Sequence, residues 1–402
     1  MEANNNSYSY GRKRSCNVFD GNKEVKAWAY DSIAQGVFFM SLAFYASAIV
    51  GLAEQKAGCA DHYLEEDGKE NSPCDGKVYG VRPGAILTLV TTIAGFFGSI
   101  LMPLVGAVID HTKHRRAVAL SSAIITLLLA ALQLLLSAET LLLCIIFMAL
   151  APMSMLVHIV TLFAYLNELT DDETKLGRYM GLFVGIRSIA MLLFMLIVIA
   201  ISATVLKVGE EGLTSLERDI ATARVSQGLI VLVAGMSFIP TFRNGLGKRP
   251  ASSQCPPGQS LIGAGFRKLI TTTKSIVKTC PAIKWYLLAN ILFGSIVTSV
   301  PSITISYMTD FLRMDASQTG IVMLIASFFM IIGSLSYRAL SSKLCAFLGL
   351  KIVLAMLTAL LILYATIIHG PQHIKTVYYL SPFWGLCFGW IIPNGRTIYV
   401  TM

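Results

Sequence analysis

Three ionisable side chains fall inside runs that are otherwise apolar. Asp31 sits in "KAWAYDSIAQGVFFM" (residues 26–40), His158 in "APMSMLVHIV" (151–160) and Arg187 in "GLFVGIRSIA" (181–190). A charge in hydrocarbon is expensive, and such groups commonly serve ion pairing, gating or proton transfer. If each run is a helix, Asp31 lies about 7 Å past Lys26 and Arg187 about 10 Å past Met180. The two are then at similar depth, and a gate pair becomes possible. The bland alternatives are an acid solvated at a helix start, which suits the helix dipole, and an arginine that snorkels to the headgroups. For His158, whose imidazole titrates near physiological pH, the choice is between a proton site and a ring hydrogen-bonded between helices.

The elements that must position these groups follow from composition. Of 402 residues, 55% are hydrophobic and only 14% charged, with a mean hydropathy of +0.66. This excludes an ordinary soluble multidomain protein and points to a bilayer. Ten charge-poor runs are long enough to cross about 30 Å of hydrocarbon as helices. They are 28–52, 83–109, 117–136, 141–166, 180–206, 225–242, 285–309, 318–336, 352–368 and 377–393. In lipid such runs must satisfy their own backbone, so an all-α membrane protein is expected.

Orientation follows from lysine and arginine. An N-terminus in the cytosol assigns 22 of the 32 to cytosolic segments and 9 to the far side, in keeping with the positive-inside rule. The basic residues are spread over separate loops, which does not favour nucleic-acid binding. The first 27 residues lack the short apolar core of a removable signal. Loop 53–82 holds seven acids with Cys59 and Cys74, whereas loop 243–284 holds eight basic residues and no acid. In an oxidising lumen Cys59 and Cys74 close a disulfide; otherwise they are two free thiols. Within 243–284, "GFRKLITTTKSIVK" gathers Phe266, Leu269, Ile270, Ile276 and Val277 near one helical face, as an interfacial amphipathic helix would.

The expected plan is therefore an N-terminal tail (1–27), a six-helix bundle (28–242), a basic linker (243–284) and a second bundle with four visible spans (285–402). No nucleophile, base and orienter constellation, metal-ligand spacing or phosphate-binding loop appears, so neither an enzyme nor a cofactor is expected. The expected partners are the lipid bilayer, a small solute and a coupling proton or sodium ion, with the chain acting as a monomer. For packing, "GLFVG" (Gly181 to Gly185) and the Ala94 and Gly98 pair permit close helix approach.

Local motifs carry a resemblance. "GAVIDHTKHRR" between the second and third spans supplies Gly106 for helix approach, Asp110 to cap the turn, and Arg115 with Arg116 to anchor the next helix. It resembles the loop signature of the major facilitator superfamily, departing from it at Lys113, and the second-half copy "GSLSYRALSSK" has Tyr337 in place of the acid. "WAYDSIAQGVF", "AYLNEL", "FIPTFRNGLGKRP", "GFRKLITTTKSIVK" and "GWIIPNGRT", in that order, resemble the vacuole effluxer family of autophagy-related vacuolar amino-acid transporters.

The resemblance implies a two-bundle alternating-access transporter of neutral amino acids in a vacuolar or lysosome-like membrane, with a sugar or lysolipid carrier or a non-transporting receptor as alternatives. It implies twelve spans, so the ten visible here suggest a truncated chain. It also sets the first and tenth spans across the cavity, making Arg396 the rival partner of Asp31 at an inner gate. Asn290 stands in a span where family members commonly carry an acid. Ser295, Thr298, Ser299, Ser302 and Ser306 share one helical face of that span, either lining the cavity or bonding their own backbone.

Overall fold

A computed structural model describes residues 22–59, 76–166, 168–169, 173–205, 214–251, 253, 260–279, 281–340 and 346–401. These form helices, short helical turns and one isolated bridge, Val78 with Val81. The long helices are α1 (Lys23–Lys56), α2 (Ile86–His111), α3 (Arg115–Leu132), α4 (Leu141–Leu166), α5 (Glu173–Thr204) and α6 (Ser215–Pro240). After them come α7 (Leu261–Thr279), α8 (Pro281–Ser306), α9 (Ala316–Leu340), α10 (Ala346–Ile367) and α11 (Ile374–Thr401).

Eight of them are long and apolar enough, within the described residues, to cross a membrane. The other two expected spans lie on α8 and α11, of 26 and 28 residues, which is also spanning length. Pro103 and Pro152 sit inside α2 and α4, as membrane helices tolerate.

Local capping sets several starts. Asn22 accepts the Glu24 backbone N–H at 2.8 Å, so α1 begins five residues before the apolar run predicts. A reciprocal Thr214 and Glu217 capping box starts α6 at Ser215 rather than near 225, converting a polar stretch into the helix's first turns. Asp315 and Gln318 cap α9 in the same way.

The first helix is the axis of its bundle. In its most apolar window, 78% of residues are buried, against 22–44% for the other spans. It packs against α4, α5 and α6, with Val25, Trp28, Ala34 and Val37 in one core and Tyr45, Ile49, Leu52 and Ala53 in another. In the second half α9, α10 and α11 pack together, with Val353, Leu357, Trp384 and Ile391 between α10 and α11. The halves meet toward the face opposite the N-terminus. There Gly320 of α9 lies on the Phe44 ring of α1, and the Ser202 hydroxyl of α5 is 3.2 Å from that of Ser317.

Several expectations about the turns and glycines are corrected. Among the described residues, a Cβ on Gly106 or Gly185 would meet nothing within 4 Å, and one on Gly98 would make only ordinary contact with Leu156 at 3.7 Å. Close approach is used elsewhere. Cβ atoms on Gly385 and Gly389 would strike the carbonyl oxygens of Ala326 and Met330, and one on Gly333 would lie 2.7 Å from that of Leu386. "GLCFG" in α11, with Gly333 in α9, is therefore the backbone-to-backbone seam. Gly385→Ala is expected to cost about 1–3 kcal/mol through overpacking, whereas Gly185→Ala should be neutral or stabilising by about 0.5–1 kcal/mol. Thermal inactivation of the two variants in detergent checks the contrast.

Asp110 does not cap its turn. Its carboxylate pairs with Lys268 of α7 at 2.7 Å and its carbonyl accepts the Ser253 N–H. That ties the amphipathic helix to α2, where Gly265 lies against the Pro103 carbonyl. Phe266, Leu269, Ile270 and Val277 of α7 remain exposed. Cys59 is disulfide-bonded; its expected partner Cys74 lies outside the described residues.

Candidate functional site

The first half holds a closed polar network in its core. The His158 ring reaches from α4 to α1, with Nε2 2.8 Å from Asp31 Oδ1, and to α3, with Nδ1 2.9 Å from the Ala119 carbonyl. The Gln35 amide donates to Asp31 Oδ2 at 2.7 Å, one turn further along α1. Both Asp31 and His158 are 0% exposed. Phe238 and Phe242 stand edge-on to the imidazole at 5.1 and 6.0 Å, fixing its plane in a dry site.

This geometry counts protons. A carbonyl oxygen only accepts, so Nδ1 must carry a hydrogen and donate it to Ala119. The 2.8 Å contact between Nε2 and Oδ1 then needs one more proton, held by the imidazole or by the carboxyl. Either way the pair stores one proton and is neutral overall, the state that a low-dielectric interior favours. Losing it would set a bare carboxylate against an imidazole lone pair.

The partners of Asp31 differ from the expected gate pairs among the described residues. Its two oxygens go to Gln35 and His158, within its own bundle. Arg187 stays close: it shares a small cavity with Trp28, Ser32, Gln35, Phe163, Phe183 and Val184, and its carbonyl oxygen would lie 2.6 Å from a Cβ on Gly36. That cavity, about 20 Å³, suffices for one water beside the amide that holds Asp31. Arg396 lies on α11, but its side chain is outside the described residues.

The paired arginines of the loop motif build a second cluster at the face holding the N-terminus. Arg115, 2% exposed, donates to Glu168 at 2.7 Å and to the Ala164 carbonyl, and lies over the Tyr165 ring. Arg249 joins Glu168 to Glu24 at 3.5 and 2.7 Å. Arg116 donates to the Phe242 carbonyl, and Tyr165 to that of Gly247. The motif residues thus strap the segment after α6 onto the ends of α1, α3 and α4.

At the opposite face Arg313 Nη1 meets Glu54 Oε1 at 2.5 Å, joining the halves. Sequence reasoning missed this pair and Gln35. Gln35 had a signal, its i,i+4 spacing from Asp31; Glu54 was read as the start of a loop.

Of the expected cavity stripe, Ser306 has a buried hydroxyl without a hydrogen-bond partner among the described residues, and Ser299 is exposed. The side chains of Asn290, Ser295, Thr298 and Ser302 are outside the described residues.

Comparison with known proteins bears on this arrangement. A family profile described as "Vacuole effluxer Atg22 like" matches residues 20–402. Among solved structures, the nucleoside transporter NupG, crystallised as an aspartate-to-alanine mutant, superposes with a TM-score of 0.56 at 12% identity. The match covers 92% of this chain and 82% of that one; at this identity the likeness is one of fold. No curated protein sequence matches the chain.

Proposed function

This chain belongs to the vacuole effluxer Atg22-like family, a membrane transporter by family and fold, and on that premise we propose that it exports amino acids from a vacuole or lysosome-like compartment, coupled to protons. The observation carrying the reading is the buried pair of Asp31 and His158, a neutral proton store on the axial helix of the first bundle. A proton held there leaves only if the surrounding helices let water or a new acceptor in, so its release is tied to their rearrangement. Arg187 of α5, whose carbonyl oxygen packs directly against Gly36 of α1, lines the small cavity beside Gln35.

The N-terminus and the strapped segment after α6 face the cytosol in this reading, as the distribution of basic residues favours, and α7 lies on the inner leaflet with its exposed apolar face in the lipid. The contacts of Phe44 with Gly320, Ser202 with Ser317 and Glu54 with Arg313 then close the luminal mouth and must part for solute to enter. In an acidic compartment, protons leaving with the solute drive export.

Purified full chain in liposomes tests this. With the outside made acidic, neutral amino acids should accumulate inside above equilibrium, and a protonophore should remove the effect. Accumulation of nucleosides or sugars instead would replace the solute, and equilibration indifferent to the gradient would remove proton coupling.

A further inference from the structure

Between the halves, at the face opposite the N-terminus, lies a cavity of about 200 Å³ lined among others by Ser47 of α1, Asp219 of α6, Thr309 and Arg313 after α8, and Asp315 and Gln318 at the start of α9. It is distinct from the Asp31 and His158 network, which is enclosed within the first bundle. Pockets for drug-sized ligands run to about 300–1,000 Å³, so this one suits a smaller molecule. Its wall offers one guanidinium and two carboxylates, together with the hydroxyls of Ser47 and Thr309.

Arg313 is held unusually. It follows a π-turn, Tyr307–Phe311, whose end is closed by Leu312 N–H to the Tyr307 carbonyl and Met314 N–H to the Met308 carbonyl. In this turn Arg313 takes φ +57, the left-handed position that glycine normally fills at such a helix end. An arginine there keeps a guanidinium at a point where backbone preference favours no side chain. One Nη donates to Glu54, whose side chain is 1% exposed, while the arginine itself remains 18% exposed toward the cavity. A guanidinium has five donors in a planar fork, and one contact does not exhaust it.

We propose that this cavity is an outer binding site for a small solute carrying both a carboxylate and an amine, with Arg313 taking the carboxylate in competition with Glu54 and the amine facing Asp219 and Asp315. Binding therefore loosens a contact that holds the two halves together, and the solute itself helps unlock the mouth through which it passes. The inference deepens the amino-acid reading above and rests on it.

Equilibrium binding of radiolabelled leucine to the purified full chain, with its decarboxylated analogue isoamylamine as control, tests the site. Arg313→Gln should weaken leucine binding at least tenfold while leaving isoamylamine binding within about twofold. Glu54→Gln should keep leucine binding or tighten it severalfold, since a competing carboxylate is gone. Because Arg313→Gln alone takes the guanidinium away from a buried acid, the Glu54→Gln and Arg313→Gln double variant is measured as well; it too should lose leucine binding. If the pair is only a structural latch, the two single variants will behave alike and the double will bind leucine as the wild type does, which overturns the site while leaving amino-acid transport standing. If the wild type binds leucine, lysine and glutamate not at all, the site and the amino-acid reading fail together.

Discussion

Asp31→Asn should abolish proton-driven accumulation while leaving the protein folded and able to exchange solute. The asparagine is nearly isosteric, and its amide satisfies both existing partners. Its Oδ1 accepts the Gln35 N–H, its Nδ2 donates to His158 Nε2, and Nδ1 still donates to Ala119, replacing the contacts at 2.7, 2.8 and 2.9 Å. What disappears is the stored proton. Counterflow exchange under equal pH should therefore stay within a few-fold of wild type, and accumulation against a gradient should fall to background. An Asp31→Asn protein that still concentrates solute under a pH gradient would show that the proton is carried elsewhere.

Removing the other partner should instead damage the fold. His158→Ala leaves Asp31 at 0% exposure with Gln35 as its one remaining partner among the described residues and empties the space beside Phe238 and Phe242. Breaking a buried pair by deleting one member costs about 3–5 kcal/mol. The half-life of the purified protein at a fixed elevated temperature is a suitable measure, since unfolding of such a chain is governed by rate. His158→Ala should shorten it strongly, and adding Asp31→Asn should restore part of it by removing the stranded charge. Wild-type half-life in the single variant, or no recovery in the double, would mean that the network contributes little to the bundle.

The two outcomes separate roles that geometry alone combines. Asp31→Asn should spare stability and remove coupling; His158→Ala should harm both. A purely structural network would not give coupling loss in a stable protein.

Much of this protein was written in its sequence. Runs such as 83–109 and 141–166 must be helices because hydrocarbon offers a backbone no other partner. The helical spacing of Phe266, Leu269, Ile270 and Val277 marked α7, and that helix does leave these residues exposed. The ordered motifs gave the family, which the profile match over 20–402 supports. Depth was legible in part: the sequence places Asp31 about 7 Å past Lys26, and because α1 begins earlier, at Lys23, the acid lies eight residues, or about 12 Å, from the helix start.

Azimuth was decided only in three dimensions. A helix buried on all sides has no apolar stripe to say which neighbour each side chain faces, so Asp31 could be placed level with Arg187 but not aimed at it or at His158. The glycines show the same limit. "GLFVG" and "GLCFG" have identical small-residue spacing, yet Gly185 meets none of the described residues, whereas Gly385 and Gly389 meet the backbone of α9. Sequence determines which helix faces permit close approach; the packing of all the helices at once determines which of them are used.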